Sequence, residues 1–104
     1  MGNSKKELSA FPDSAKFRAG HELFMVQVGR DPDDWKPMPS VGPGVREIRV
    51  RDASGQFRVM YIANLKPAIY VLHAFQKKTR KTAEEDLRLA QRRYREARFI
   101  ANEE

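Results

Sequence analysis

The chain has 104 residues, with 20 Lys and Arg against 14 Asp and Glu, for a net charge of +6. Domains usually run about 100–150 residues, so one domain over 1–104 is expected and a two-domain enzyme with a closing cleft is excluded. There is no cysteine, which excludes thiolate chemistry, disulfides and Cys-based zinc sites and favours a reducing, cytoplasmic setting.

The charge is uneven. Residues 1–44 hold six basic and six acidic side chains, whereas residues 46–81 hold nine basic ones against Glu47 and Asp52. Charge confined to one supersecondary unit suggests a polyanion-binding surface, although a net charge alone means only solubility. No apolar run approaches the roughly 20 residues of a membrane span, and residues 1–20 offer no signal-peptide core.

Ser4-Lys5-Lys6-Glu7 has the pattern of a capping box, with Ser4 as N-cap and Glu7 reaching back. Pro12 ends that first helix, and Asp13 or Ser14 is placed to cap a second. Phe17, Leu23, Phe24 and Val28 follow a 3.6-residue period, which predicts the buried face of the second helix, with Gly29 as its terminator. Residues 24–28 also have strand-like composition. The pair reads as an αα-hairpin. Residues 30–44, rich in Pro, Gly and acidic residues, read as a loop whose Trp35 packs on the core.

Three strands are expected next. Residues 45–51 alternate Ile48 and Val50 with Glu47, Arg49 and Arg51. Residues 57–64 alternate Phe57, Val59 and Tyr61 with Arg58, Met60 and Ile62. Residues 68–75 are apolar on both faces, as in a central strand covered twice. The links at 52–56 and Leu65-Lys66-Pro67 suit hairpins in an antiparallel meander. Thr82 is placed to cap a last helix with acidic first-turn residues Glu84, Glu85 and Asp86. Its apolar stripe is Leu87, Ala90, Tyr94, Ala97 and Ala101, with Arg88, Arg92 and Arg95 opposite. The order ααβββα predicts an α+β fold with helices against a curved antiparallel sheet.

Two histidines, His21 and His73, come without metal-ligand spacing, and no glycine-rich phosphate loop is present, so neither metal nor cofactor is expected. Gly42-Pro43-Gly44 reads as a turn. The informative set is Arg46, Arg49, Arg51, Arg58, Lys77, Lys78, Arg80 and Lys81, interleaved with Tyr61, His73 and Phe75. Guanidinium and ammonium groups gathered on one concave surface hold a phosphate and stabilise charge on pentacoordinate phosphorus. Phe75 or Tyr61 offers a ring for an unpaired base, with Tyr61 as readily a core residue. No metal is needed if the substrate's 2′-hydroxyl is the nucleophile. Proton transfer would fall to His73, whose intrinsic pKa suits it, or to Lys77 or Lys78 if crowding of cations lowers the pKa. The alternative for His73 is a buried strand residue satisfying a backbone group.

The runs Gly44-Val45-Arg46-Glu47-Ile48-Arg49-Val50-Arg51, Phe57-Arg58-Val59-Met60-Tyr61 and Val71-Leu72-His73-Ala74-Phe75-Gln76-Lys77-Lys78-Thr79, in that order, resemble the RelE/HigB toxin superfamily, closest to its phage-derived, HigB-like branch. The resemblance spans residues 4–99. It implies a RelE-like microbial RNase fold with an antiparallel sheet of three or four strands. It also implies a type II toxin that cuts mRNA in the ribosomal A site, neutralised by an antitoxin commonly carrying a helix-turn-helix domain. By position, Arg58 matches the arginine that contacts the scissile phosphate. Arg49 and Arg51 match basic residues of the preceding strand, and Lys78, with Lys77 beside it, matches a basic residue after the last strand. His73 and Phe75 belong to the branch's own motif. The expected catalytic set is thus Arg58, Lys78, Lys77 and His73, and the RNA-binding set Arg46, Arg49, Arg51, Phe75, Arg80 and Lys81. The sequence departs from the family in lacking its usual first strand and in having no tyrosine at 79–86. A non-enzymatic member that binds RNA, ribosome or an antitoxin-like partner is the alternative. A DNA-binding module has less support, since no recognition-helix pattern stands out.

Overall fold

The computed structural model describes residues 2–63, 69–78 and 80–103. Its elements are α1 (Ser4–Ser9), α2 (Asp13–Gln27), β1 (Trp35–Pro37), β2 (Val45–Asp52), β3 (Gly55–Ile62), β4 (Tyr70–Lys77) and α3 (Glu84–Glu103). The fold is α+β: the four strands form one curved antiparallel sheet in the order β1-β2-β3-β4. The Leu65-Lys66-Pro67 link, Ala68 and Thr79 lie outside the described residues.

Strand alternation builds two cores. Ile48, Val50, Phe57, Val59 and Tyr61 project to one side, beneath Phe11, Ala15 and Ala19 of the N-terminal segment. Val45, Met60, Ile62 and Leu72 project to the other and meet Ala90, Tyr94 and Ala97 of α3. The period-2 rule of a strand thus assigns each residue to one layer. The α3 stripe appears as its 3.6-residue period predicts, with Arg88, Arg92 and Arg95 exposed.

Between β3 and β4 the register slips: Met60 pairs with His73 but Tyr61 with Val71, so Leu72 is an extra residue in β4. Such a bulge bends a strand locally. Leu72 and His73, though adjacent, thus both lie on the α3 side.

Several expectations are corrected. Most of the apolar period of α2 faces outward: Phe17 is 81 % exposed, and Phe24 and Val28 are exposed too, while Leu23 packs against the core. Its buried residues are Ala15, Ala19 and Glu22, so small side chains let the helix lie close to the sheet. Residues 24–27 are helical, and Gly29 ends the helix at φ +85°, as expected of a C′ glycine. The proposed capping box does not form: Asn3 holds the N-cap position, no side chain caps the helix, and Glu7 is engaged elsewhere. Likewise Pro12, not Asp13 or Ser14, precedes the first turn of α2, and Ser14 donates to Asp52 on the β2–β3 turn. At α3 the carbonyl of Ala83, one residue after Thr82, accepts from Asp86 and Leu87.

The loop at 30–44 contains β1, which pairs Trp35 with Ile48 and Pro37 with Arg46. The fourth strand is therefore supplied from this loop. Proline suits it because an edge strand keeps one side free of ladder bonds. Glu22 anchors the approach to β1 by accepting from the backbone N–H of Asp33 at 2.6 Å. Trp35 is half-buried, with Arg46 stacked on its ring, rather than packed in the core. Finally, β4 lies at the edge of the sheet, not its centre. Its apolar character reflects cover from both α1 and α3.

Candidate nucleic-acid interface

Pleating places Glu47, Arg49 and Arg51 of β2 on the α3 side of the sheet. Arg58 of β3 and Phe75 of β4 join them, since Arg49, Arg58 and Phe75 are direct cross-strand partners. Lys36 pairs with Glu47, and Lys77 with Gln56. The hydrophobic cluster under α3 takes in Val45, Met60, Ile62 and Leu72, with Phe75 packed at its border. The cationic end remains outside it.

At its floor, Arg58 and Glu47 are both buried, with Arg58 Nε 3.4 Å from Glu47 Oε1. Neither carboxylate oxygen accepts a hydrogen bond among the described residues, and Lys36 Nζ stands 3.9 Å away. The remaining Arg58 nitrogens reach the Phe57 carbonyl and Gln56 Oε1, each at 3.2 Å. Burial, with Arg49 and Arg51 nearby, pushes the Arg58 guanidinium below its ordinary value against the pull of Glu47. It stays charged in any case. Arg49 is held by Asp34, at 2.7 Å from Nη2. Arg51 is exposed and makes no ion pair among the described residues.

Beyond the sheet edge lies a pocket of about 350 Å³, lined by Phe75, Lys77, Lys78, Lys81, Glu85 and Asp86. Burial, and then the charge of Arg58, lowers the Lys77 pKa from its ordinary value. Lys78, Arg80 and Lys81 are exposed on the β4–α3 connection.

Phe75 is fixed from behind. Its ring stacks on His73, centroids 4.8 Å apart and planes 22° apart. His73 is itself buried, with Nδ1 3.0 Å from Glu7 Oε1 and Nε2 2.7 Å from Asp86 Oδ1. Carboxylates only accept, so the imidazolium makes both bonds and either neutral tautomer makes one. The Glu7 carboxylate also accepts from Arg93 at 2.8 Å and from the Ala74 N–H. Burial would raise the Glu7 pKa, but the bonds from Arg93 and His73 outweigh it and hold the group below the usual carboxylate value. Arg93 also donates to the Leu72 carbonyl at 3.0 Å. The cluster ties α1, β4 and α3 together behind the Phe75 ring.

The structure therefore gathers Arg49, Arg51, Arg58, Phe75, Lys77, Lys78 and Lys81 along one side. It separates Arg46, whose register with Tyr61 directs it to the α2 side. There its guanidinium lies 4.1 Å from the Trp35 ring centroid and 3.1 Å from Asp31. Tyr61 is fully buried in the core under α1 and α2. Glu47 and Arg93 were not singled out by sequence reasoning, and Glu7 was read only as a capping-box residue. Glu47 carries a weak signal as the one acid among Arg46, Arg49 and Arg51; the contacts of Glu7 with Arg93 span most of the chain and carry none. Among the described residues no group of three or more His, Asp and Glu is arranged to hold a metal ion, and no helix is long and apolar enough to cross a membrane.

A small α+β domain with a cationic sheet face and an aromatic platform is thus the class of molecule. The family model for Phage derived protein Gp49-like (DUF891) matches residues 6–95. The chain belongs to that family, a RelE/HigB-type, toxin-like group. No curated protein matches the chain.

Proposed function

We propose that this protein is the toxin of a type II toxin–antitoxin module, in the HigB-like branch, and that it cuts mRNA on the ribosome. The observation that carries the reading is the cationic face formed by Arg49, Arg51, Arg58 and Lys77, opening beside a nucleotide-sized pocket with a ring at its wall. Membership of the Gp49-like family supports the toxin reading.

In this mechanism a base stacks on Phe75, and Arg51, Lys77 and Lys78 hold the adjoining phosphate. The substrate's 2′-hydroxyl oxygen attacks phosphorus and loses its proton to a base. The P–O5′ bond breaks, and the 5′ oxygen takes a proton, leaving a 2′,3′-cyclic phosphate and a 5′-hydroxyl. Arg58, fixed in the floor, stabilises the extra negative charge on the phosphorane. Lys77 is assigned the proton transfer: it stands at the pocket beside Phe75, and burial, then the charge of Arg58, lowers its pKa from the ordinary value. His73 serves as the support of Phe75, since both ring nitrogens are occupied. The ribosome positions the RNA and forms the other wall. A helix-turn-helix antitoxin neutralises the toxin in the cytoplasm, and the whole chain acts as one domain.

The second reading, a member that binds RNA or ribosome without cutting, draws on one observation: Arg58 is buried and neutralised by Glu47. Inducing the chain and mapping mRNA 5′ ends separates the two. Codon-phased new ends support the nuclease. Growth arrest without new ends supports the binder and overturns the cleavage assignment.

A further inference from the structure

The pocket beside Phe75 is lined by two opposite kinds of polar group. Lys77, Lys78 and Lys81 bring ammonium groups from the end of β4 and the connection after it, and Glu85 and Asp86 bring carboxylates from the first turn of α3. These charges do not close on each other. Lys77 and Lys78 pair with neither acid, and Glu85 has no hydrogen-bond or ion-pair partner among the described residues. Asp86 is already engaged: its Oδ1 lies 2.7 Å from His73 Nε2, which fixes that carboxylate as part of the wall. Gln76, also in the lining, commits its side-chain nitrogen to the Ser54 carbonyl at 3.2 Å.

An acid in a site for RNA needs a reason, because it repels every phosphate brought near it. The favourable effect of an acid on the start of a helix is already supplied by Glu84 and Asp86. Glu85 earns its place beside the lysines only if it accepts from something other than a phosphate, and the donors of an RNA are its bases and its 2′-hydroxyls.

We propose that this pocket reads guanine, with Glu85 as the residue that determines specificity. The inference rests on the RNA-binding reading above and extends it to the identity of the base. An ionised carboxylate only accepts, and its two oxygens take two parallel bonds. Guanine is the base whose Watson–Crick edge sets two donors side by side, N1–H and N2–H. Adenine sets N6–H beside a bare N1, and cytosine sets N4–H beside a bare N3. Uracil holds one N–H between two carbonyls. Each of these three brings an acceptor against the second carboxylate oxygen, and a site built to receive hydrogen bonds rejects a base that leaves it unpaired. Guanine's remaining edge shows O6 and N7, both acceptors, which suit an ammonium group such as that of Lys81. The split polarity of the pocket thus matches the split polarity of one base. Phe75 supplies the stacking surface: His73 backs its ring, which leaves one face for a base.

The test is a titration of the ¹⁵N-labelled full chain with the 3′-monophosphates of guanosine, adenosine, cytidine and uridine, followed by amide chemical shifts. No cleavage is read, so the result does not depend on whether the chain cuts RNA. The guanosine nucleotide is expected to shift Phe75 and Glu85 and to bind about tenfold or more tightly than the other three, within the range that one bidentate base contact gives. Glu85→Gln keeps the length of the side chain but offers one donor and one acceptor, the pattern that suits adenine. It should bring the guanosine and adenosine nucleotides within about threefold of each other, with the rest of the spectrum unchanged. Glu84→Gln is the control: that carboxylate is held by Arg88 at 2.6 Å outside the pocket, and the variant should keep the wild-type preference. Equal binding of all four nucleotides overturns the guanine assignment while leaving the face an RNA-binding one. A guanine preference that survives in Glu85→Gln overturns the role of Glu85. No shift with any nucleotide at tens of millimolar overturns the proposal together with the base-stacking reading on which it rests.

Discussion

Arg58 and Glu47 are buried side by side on neighbouring strands, 3.4 Å from Nε to Oε1, with both carboxylate oxygens lacking a hydrogen-bond partner among the described residues. Such a pair is expensive to break and contributes little net stability when whole. Arg58→Ala, which leaves the carboxylate buried and uncompensated, is therefore expected to destabilise the fold by about 3–5 kcal/mol. Glu47→Leu with Arg58→Leu together should recover most of that loss. Urea unfolding of the three proteins measures it. A single Arg58→Ala chain as stable as wild type would show that Glu47 is compensated some other way. Loss of toxicity in Arg58→Ala alone is thus weak evidence for a catalytic role, because folding falls with it.

The exposed cations give a cleaner test of the site. Arg51 and Lys78 are both solvent-facing, and surface substitutions away from special features usually stay within about 0.5 kcal/mol. Arg51→Ala and Lys78→Ala should relieve growth arrest on expression while the unfolding midpoint stays at the wild-type value. Full toxicity in both variants would remove these two residues from the phosphate-binding role.

How much of this was legible in the sequence follows from the range of each signal. The inner stripe of α3 could be read because five apolar residues recur over four turns with charged residues between them. Helix α2 misled because its fully buried residues are two alanines and Glu22, which carry no hydropathy signal, while Phe17 and Phe24 face solvent and only Leu23 of the predicted stripe packs on the core. Strand β1 was invisible: Trp35-Lys36-Pro37 is three residues long, ends in proline, and exists because β2 offers an edge. The alternation in β2 and β3 correctly placed Arg49, Arg51 and Arg58 on one side. It could not tell that Arg58 would be buried over Glu47. The Glu7–Arg93 bond joins residues 86 apart, and no local pattern announces a contact of that separation.

The Glu7 cluster makes stability depend on pH in a defined window. The folded pKa of Glu7 is depressed from its ordinary value of 4.5. Its contribution is therefore fully present above about pH 4.5 and is lost as the pH falls through the lower, folded-state value. Glu7→Gln should cost about 2 kcal/mol at neutral pH, as for hydrogen bonds to charged groups. That difference should shrink as both proteins are titrated below pH 4.5. Denaturation at stepped pH checks the sign: a gap that widens on acidification contradicts the assignment. The same variant loosens His73 behind Phe75, so its effect on RNA binding should exceed that of an exposed control such as Lys5→Ala.

Arg46 and Trp35 supply the last test, because they separate charge as such from charge on the right side. The guanidinium sits 4.1 Å from the centroid of the only tryptophan ring and is bonded to Asp31. The Arg46 pKa is raised: burial opposes this, but Tyr61 and Asp31 outweigh it. A half-exposed cation–π contact contributes about 0.5–1 kcal/mol. Arg46→Ala should therefore shift the tryptophan emission, lower stability by about 1 kcal/mol, and leave mRNA cleavage within twofold of wild type. Net charge falls by the same unit in Arg46→Ala as in Arg51→Ala, so non-specific electrostatics would predict equal losses. Equal losses would mean that the total charge of the chain governs RNA engagement. A loss confined to Arg51→Ala would assign it to the α3 side of the sheet.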